Sequence, residues 1–198
     1  MRALEIVRHS LTRKGADRGK GSALSPEGVR LARGLGDSMA AGLGALGSGA
    51  VGGGEAGIGH VAVGDLPRHL ETAIAMGFAV DEQVAWPSGY VEGEVGHHDQ
   101  WTGDQPFVRY ASLLARGGRL HEVAQEHLGH WRRILDRLPE GGTALIVSSG
   151  GSIEPVLVAA MPDADHAAWG GPLHHLEGAT VTVDGGRFAE VRMRRQVG

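Results

Sequence analysis

Short apolar runs and stretches of helical periodicity take turns along this chain. Residues 2–7 (RALEIV) are apolar enough for a buried strand and stop abruptly at Arg8-His9-Ser10, where a polar, glycine-bearing segment carries the chain to about residue 24. Ser25-Pro26-Glu27 then reads as a helix start, with Ser at the N-cap, Pro at the first helical position and an acid in the first turn, followed by Val29, Ala32, Leu35 and Met39 at helical spacing. His60-Val61-Ala62-Val63 predicts a second strand, and a helix carrying Arg68, His69, Thr72 and Ala73 should follow it to about Met76. A third strand is expected around 79–85, before a glycine- and histidine-rich segment to about 103 that has no clear period. Leu113-Leu114 marks one further helix, and Val123, His127, Leu128, Trp131, Ile134, Leu135 and Leu138 mark another, ending before Pro139 and Gly141-Gly142.

Ala144-Leu145-Ile146-Val147 is the clearest buried strand, and Ser148-Ser149-Gly150-Gly151 turns it into a helix reaching about Met161. The pattern 179–183, Asp184-Gly185-Gly186, 188–193 is a hairpin signal. Strands alternating with helices predict an α/β fold with a mostly parallel sheet and an antiparallel edge. At 198 residues this is one domain, 1–198.

Composition changes the picture in three places. Glycine makes up 34 of 198 residues, well above the usual level of about 7%, and nine of them crowd into 42–59, which is expected to fray from a helix into a flexible loop. Nineteen Lys plus Arg against 23 Asp plus Glu leave a net charge of −4, so there is no bulk positive field for nucleic acid or an anionic membrane, and any anion must be bound locally. With no cysteine, disulfides, thiolate zinc sites and Cys nucleophiles are excluded. No apolar leader or spanning segment is legible, and a cytoplasmic protein is the expectation.

The candidate chemistry sits at strand ends. Leu4-Glu5-Ile6-Val7-Arg8-His9-Ser10, Leu24-Ser25-Pro26-Glu27-Gly28, Asp65-Leu66-Pro67-Arg68-His69-Leu70-Glu71-Thr72-Ala73 and Val147-Ser148-Ser149-Gly150-Gly151 together resemble the histidine phosphatase (phosphoglycerate mutase-like) superfamily across nearly the whole chain. That resemblance implies a three-layer α/β/α sandwich, a nucleophile at His9 forming a phosphohistidine, and a phosphate pocket built from Arg8 and Arg68. The residue types suit this chemistry. Guanidinium forks hold phosphate oxygens without titrating, and a neutral imidazole can attack phosphorus in line. Because arginine handles the phosphate charge, no metal or organic cofactor is implied, and the expected partner is a small phosphorylated substrate.

The chain also departs from that pattern. Where the superfamily carries a second pocket histidine, Ser149 stands. Loss of a transition-state donor commonly lowers rate roughly 100- to 1,000-fold, so the two readings are a phosphatase of weakened or altered activity and a degenerate or repurposed anion-binding pseudoenzyme. Ser10 replaces a glycine and, with Gly150, joins the candidate phosphate-binding set. The general acid is expected at Glu92, with Glu94 in reserve, in Val91-Glu92-Gly93-Glu94-Val95-Gly96. His97-His98 and His174-His175 are adjacent pairs without metal-ligand spacing, although one of the four could enter the place of the missing histidine, with His97 or His98 favoured. Gly15-Ala16-Asp17-Arg18-Gly19-Lys20 imitates a P-loop but is one residue short between its glycines and has no Ser or Thr after the lysine. Residues 147–151 stand in the context of a serine nucleophile elbow, with Asp163 or Asp165 and His166 or His174 following, but the first glycine of that motif is replaced by Val147.

Overall fold

A computed structural model describes residues 1–13, 22–47, 57–97, 101 and 105–195. The elements run β1 (Arg2–Arg8), α1 (Pro26–Gly47), β2 (Ile58–Gly64), α2 (Pro67–Ala75), β3 (Glu82–Val84), α3 (Pro106–Leu114), α4 (Arg119–Arg137), β4 (Thr143–Ser148), α5 (Gly150–Ala160), a 3-10 turn (His166–Trp169), β5 (Gly178–Asp184) and β6 (Arg187–Arg194). One six-stranded sheet has the order β3-β2-β4-β1-β5-β6. The first four strands in that order are parallel, while β5 and β6 form the antiparallel edge. The two residues between β5 and β6, Gly185 and Gly186, both have positive φ, 54° and 78°, the conformation a two-residue hairpin loop requires.

Strand side chains alternate between two cores. Leu4, Ile6, Ala144 and Ile146 face α3, α4 and α5, where Phe107, Tyr110, Leu128, Trp131 and Leu157 are buried. Val7, Val61, Val63, Leu145 and Val147 face α1 and α2. The sheet is therefore covered on both sides, as a parallel sheet must be.

Two expectations about element limits change. The segment 42–59 is not one loop: α1 continues to Gly47 and β2 begins at Ile58, and 48–56 lie outside the described residues. Helix α1 tolerates its glycines partly because one of them is needed for packing. A Cβ at Gly36 would lie 2.0 Å from the Met76 carbonyl oxygen, so the bare backbone lets α1 approach the end of α2. The third strand is shorter than expected, three residues at the sheet edge. Among the described residues, no helix is long and apolar enough to cross a membrane.

Candidate active site

Parallel register brings the candidate residues to one edge. Arg8 pairs with Ser148 across β1 and β4, and Val63 with Val147 across β2 and β4. The residues just beyond these strands, His9, Ser149 and the start of α2, therefore meet at the carboxyl end of the sheet, the usual location of a ligand crevice in such folds.

His9 is fixed at its backbone N–H and at its ring. Its backbone N–H donates to the Ser148 carbonyl (2.8 Å), and Nδ1 lies 2.8 Å from the Ser10 carbonyl. A carbonyl only accepts, so Nδ1 carries the proton and Nε2 presents its lone pair. The ring is 7% exposed. Burial holds its pKa well below the usual histidine value against the pull of the Ser10 carbonyl, and the charges of Arg68 and Arg8 push the same way as burial. His9 is thus a neutral imidazole near pH 7.

The two arginines are held by oxygen acceptors. Arg8 donates Nη1 to the Leu173 carbonyl. Arg68, in the first turn of α2 behind Pro67, donates to Ser22 Oγ (2.7 Å) and to Ser149 Oγ (3.3 Å). Desolvation, with the nearby Arg8 charge, lowers the Arg68 pKa from its ordinary value, but a guanidinium stays charged at any working pH.

Ser149 is the N-cap of α5, yet its hydroxyl makes no cap hydrogen bond. It is turned instead to Arg68 and to His69, whose Nε2 lies 2.8 Å from Ser149 Oγ. His69 is 4% exposed, and burial, with Arg68 beside it, takes its pKa down to about 3. Its ring centroid is 5.6 Å from that of His9. A third imidazole, His175, stands edge-on to His9 at 5.3 Å; burial and then Arg8 bring its pKa down to about 4.

The loop that carries His175 is fixed from behind. Glu154 on α5 accepts the Leu173 N–H (2.7 Å) while Arg8 takes the Leu173 carbonyl. Arg195 donates to Glu177 (2.8 Å) and to the Pro172 carbonyl (3.1 Å). Leu176 is held at φ 64°, a conformation that disfavours a branched side chain and marks a tightly determined turn. Glu154 itself is fully buried, and burial pushes its carboxyl up to about 8 despite the Leu173 N–H and the Arg8 charge.

Other expected residues fall elsewhere. Ser10 donates its hydroxyl to the Gly28 carbonyl (2.8 Å) and its N–H to Thr72 Oγ1 (3.0 Å), so its side chain ties the loop to α1 and does not face a ligand. Glu94 accepts the N–H groups of Arg119 (2.9 Å) and Leu120 (3.3 Å) and serves the start of α4. Glu92 is exposed on the same turn. Two residues before it, Tyr90 lies directly over Gly151 at the start of α5, where a Cβ would meet its ring at 2.6 Å. His97 stacks on Tyr90, and His98 and the 15–20 segment lie outside the described residues. His166 is turned to the Met161 carbonyl (2.9 Å) and His174 is exposed, so the imidazole against Ser149 is neither of these but His69. Sequence reasoning passed over His69 as a pocket residue and Glu154 altogether. A histidine next to the pocket arginine, and a lone acid in the apolar run 153–160, were the available signals.

The fold is shared with solved structures that include phosphatases. The Bacillus stearothermophilus protein YhfR is similar over 100% of this chain and 98% of its own, with 22% identity and a TM-score of 0.63. A mycobacterial glucosyl-3-phosphoglycerate phosphatase, solved with VO3, is similar over 100% and 98%, with 19% identity and a TM-score of 0.61. The protein histidine phosphatase SixA, solved with tungstate, is similar over 98% and 94%, with 14% identity and a TM-score of 0.54. No family model matches the sequence. No curated protein matches it either.

Proposed function

We propose that this chain hydrolyses a small phosphomonoester through a phosphohistidine at His9. The observation that carries the reading is the state of His9: a buried, neutral imidazole with Nδ1–H held by a carbonyl and Nε2 left as a lone pair, between two guanidinium groups. Phosphate oxygens would be taken by Arg8, Arg68 and the Ser149 hydroxyl, with the Gly150 N–H at the start of α5 adding a helix-terminal donor. In the first step His9 Nε2 forms a bond to phosphorus as the ester P–O bond breaks, and the leaving oxygen takes a proton from an acid. Glu94 being engaged at α4, Glu92 is the carboxyl assigned to that proton. In the second step water attacks phosphorus, the P–N bond breaks, phosphate leaves and the neutral imidazole is restored. Two structural neighbours solved with VO3 and with tungstate, oxyanions of phosphate-like shape, support an anion in this crevice.

The test is phosphate release from an aryl phosphate across about pH 5 to 8. Activity in the wild type that falls at least about 1,000-fold in His9→Ala and in Arg68→Ala is expected, from the magnitudes nucleophile and oxyanion-donor losses carry. Retained anion binding with no phosphate release would favour the pseudoenzyme reading.

A further inference from the structure

An aromatic ring is held in the open beside the arginine pocket. The turn after β3 is closed by an antiparallel bridge between Val91 and Val95, each donating its N–H to the other's carbonyl (2.9 and 2.8 Å), and Gly93 at φ 79° supplies the left-handed residue between them. Val95 is buried in the core and Glu94 accepts the N–H groups that start α4, so the turn is anchored on its inner side. On its outer side the bridge brings Tyr90 beside Gly96-His97, and the His97 ring lies within 7° of parallel to that of Tyr90, with 5.9 Å between centroids. Two glycines fix where the Tyr90 ring lies. A Cβ at Gly89 would meet the Gly151 carbonyl oxygen at 1.7 Å, so the backbone before Tyr90 rests directly on the first turn of α5. A Cβ at Gly151 would meet the Tyr90 ring at 2.6 Å and its hydroxyl oxygen at 3.3 Å. The ring therefore covers the turn that begins at Ser149 and Gly150, and its hydroxyl is near enough to Arg68 to act on that guanidinium. Even so, Tyr90 is 45% exposed. An aromatic ring fixed from two sides, bare to that extent and beside an anion-holding arginine is a surface suited to a ligand.

Resting on the phosphatase reading, we propose that Tyr90 is a specificity-determining residue that selects esters with a planar aromatic leaving group. In-line displacement puts the leaving oxygen on the side of phosphorus away from His9. The carboxyl assigned to protonate that oxygen, Glu92, is two residues beyond Tyr90 in the same turn. A group bound to the oxygen therefore passes the Tyr90 ring. A flat ring can lie against the face of Tyr90 or meet its edge, and such pairs gain more than their buried area alone supplies. A saturated group of the same size gains the area only. One turn thus carries both the proton donor and the surface that recognises the departing group.

The experiment is calorimetric titration of methylphosphonate, benzylphosphonate and cyclohexylmethylphosphonate, which hold carbon directly on phosphorus and have no ester bond to cleave, into the full-length wild type, Tyr90→Phe and Tyr90→Leu. Leucine keeps apolar bulk over Gly151 and removes the aromatic ring. The wild type should bind benzylphosphonate roughly tenfold tighter than methylphosphonate and several-fold tighter than cyclohexylmethylphosphonate. Tyr90→Phe should keep both preferences, and Tyr90→Leu should bring the benzyl and cyclohexylmethyl ligands to about equal affinity. A cyclohexylmethyl ligand bound by the wild type as tightly as the benzyl one, preferences unchanged in Tyr90→Leu, or a wild type that binds none of the three would each overturn the proposal. Phosphate release from an aryl phosphate, measured alongside, separates the two readings. A wild type that releases no phosphate yet shows the Tyr90-dependent preference keeps the aromatic surface and discards the phosphatase, while an active wild type without that preference does the reverse.

Discussion

Gly64 and His69 are matched to each other: the position where a Cβ of residue 64 would stand is 2.2 Å from Nδ1 of the imidazole. A side chain at 64 would drive His69 off Ser149. Gly64→Ala should therefore weaken phosphate binding by disturbing the His69–Ser149 contact and cost about 1 to 3 kcal/mol of stability through overpacking, read by calorimetry and denaturant melts. Gly59→Ala, where the nearest atom to the new methyl is 3.8 Å away, is the control and should leave anion affinity unchanged. Equal affinity in both variants would show that the imidazole has another way to reach Ser149.

The buried imidazoles make stability depend on pH in a definite direction. His9, His69, His127 and His175 all have folded pKa values lowered from about 6.5, to about 3 for His69 and about 4 for His127 and His175, chiefly by burial. Below about pH 6.5 the unfolded chain binds protons that the folded one refuses, so the stability present above that value is lost progressively as pH falls toward about 3. The denaturant midpoint should fall between pH 7 and pH 5, and His69→Gln should make that slope shallower. A midpoint that does not move over this range would contradict the assignment of neutral imidazoles to the pocket.

Glu154 works in the opposite sense. Its folded pKa of about 8 is raised above the unfolded value of 4.5 by burial, so its contribution is fully present below about 4.5 and is lost as pH rises through about 8. Gln keeps an oxygen for the Leu173 N–H and cannot ionise. Glu154→Gln is predicted to come closest to the wild type below about pH 4.5, to draw ahead as pH rises from there, and to melt several degrees higher at pH 9. A variant less stable at pH 9 than the wild type would mean that the ionised carboxylate beside Arg8 is favourable.

An anion in the crevice should reverse the low pKa of His175. Arg8 and Arg68 both disfavour its protonation, after burial, and a phosphate dianion between them offsets that repulsion. Titration of the imidazole resonances by NMR should show the His175 pKa rising by at least about one unit when phosphate is added. No change would place the anion away from this ring.

What could be read from the sequence followed from short-range signals. The Ser25-Pro26 start of α1, the apolar runs of β1 and β4 and the double-glycine turn before β6 are local choices that agree with the fold, and each lies where its pattern places it. Arg8 and His9 were legible because they end a buried strand, and parallel pairing then carries them to Ser149. β3 was harder to delimit, since Glu82–Val84 is a partly exposed three-residue edge strand with too few positions to show a period. The reach of α1 was obscured by glycines whose use at Gly36 depends on Met76, forty residues away. The pairing of His69 with Ser149 crosses eighty residues, and no spacing rule links a histidine in the first turn of one helix to the cap of another. Only the register of β2 beside β4 does so. The segment with Glu92 and Glu94 shows the same limit, because which carboxyl caps α4 depends on where Arg119 comes to lie.

The central claim is that His9 becomes phosphorylated during turnover. The most direct measurement is to mix the wild-type protein with a radiolabelled aryl phosphate, quench within milliseconds in alkali, and map the label by peptide digestion. Acid-labile, alkali-stable label is expected on the peptide containing His9, absent from His9→Ala and chased by unlabelled substrate. Phosphate release without label on that peptide, or label that persists in His9→Ala, would contradict it.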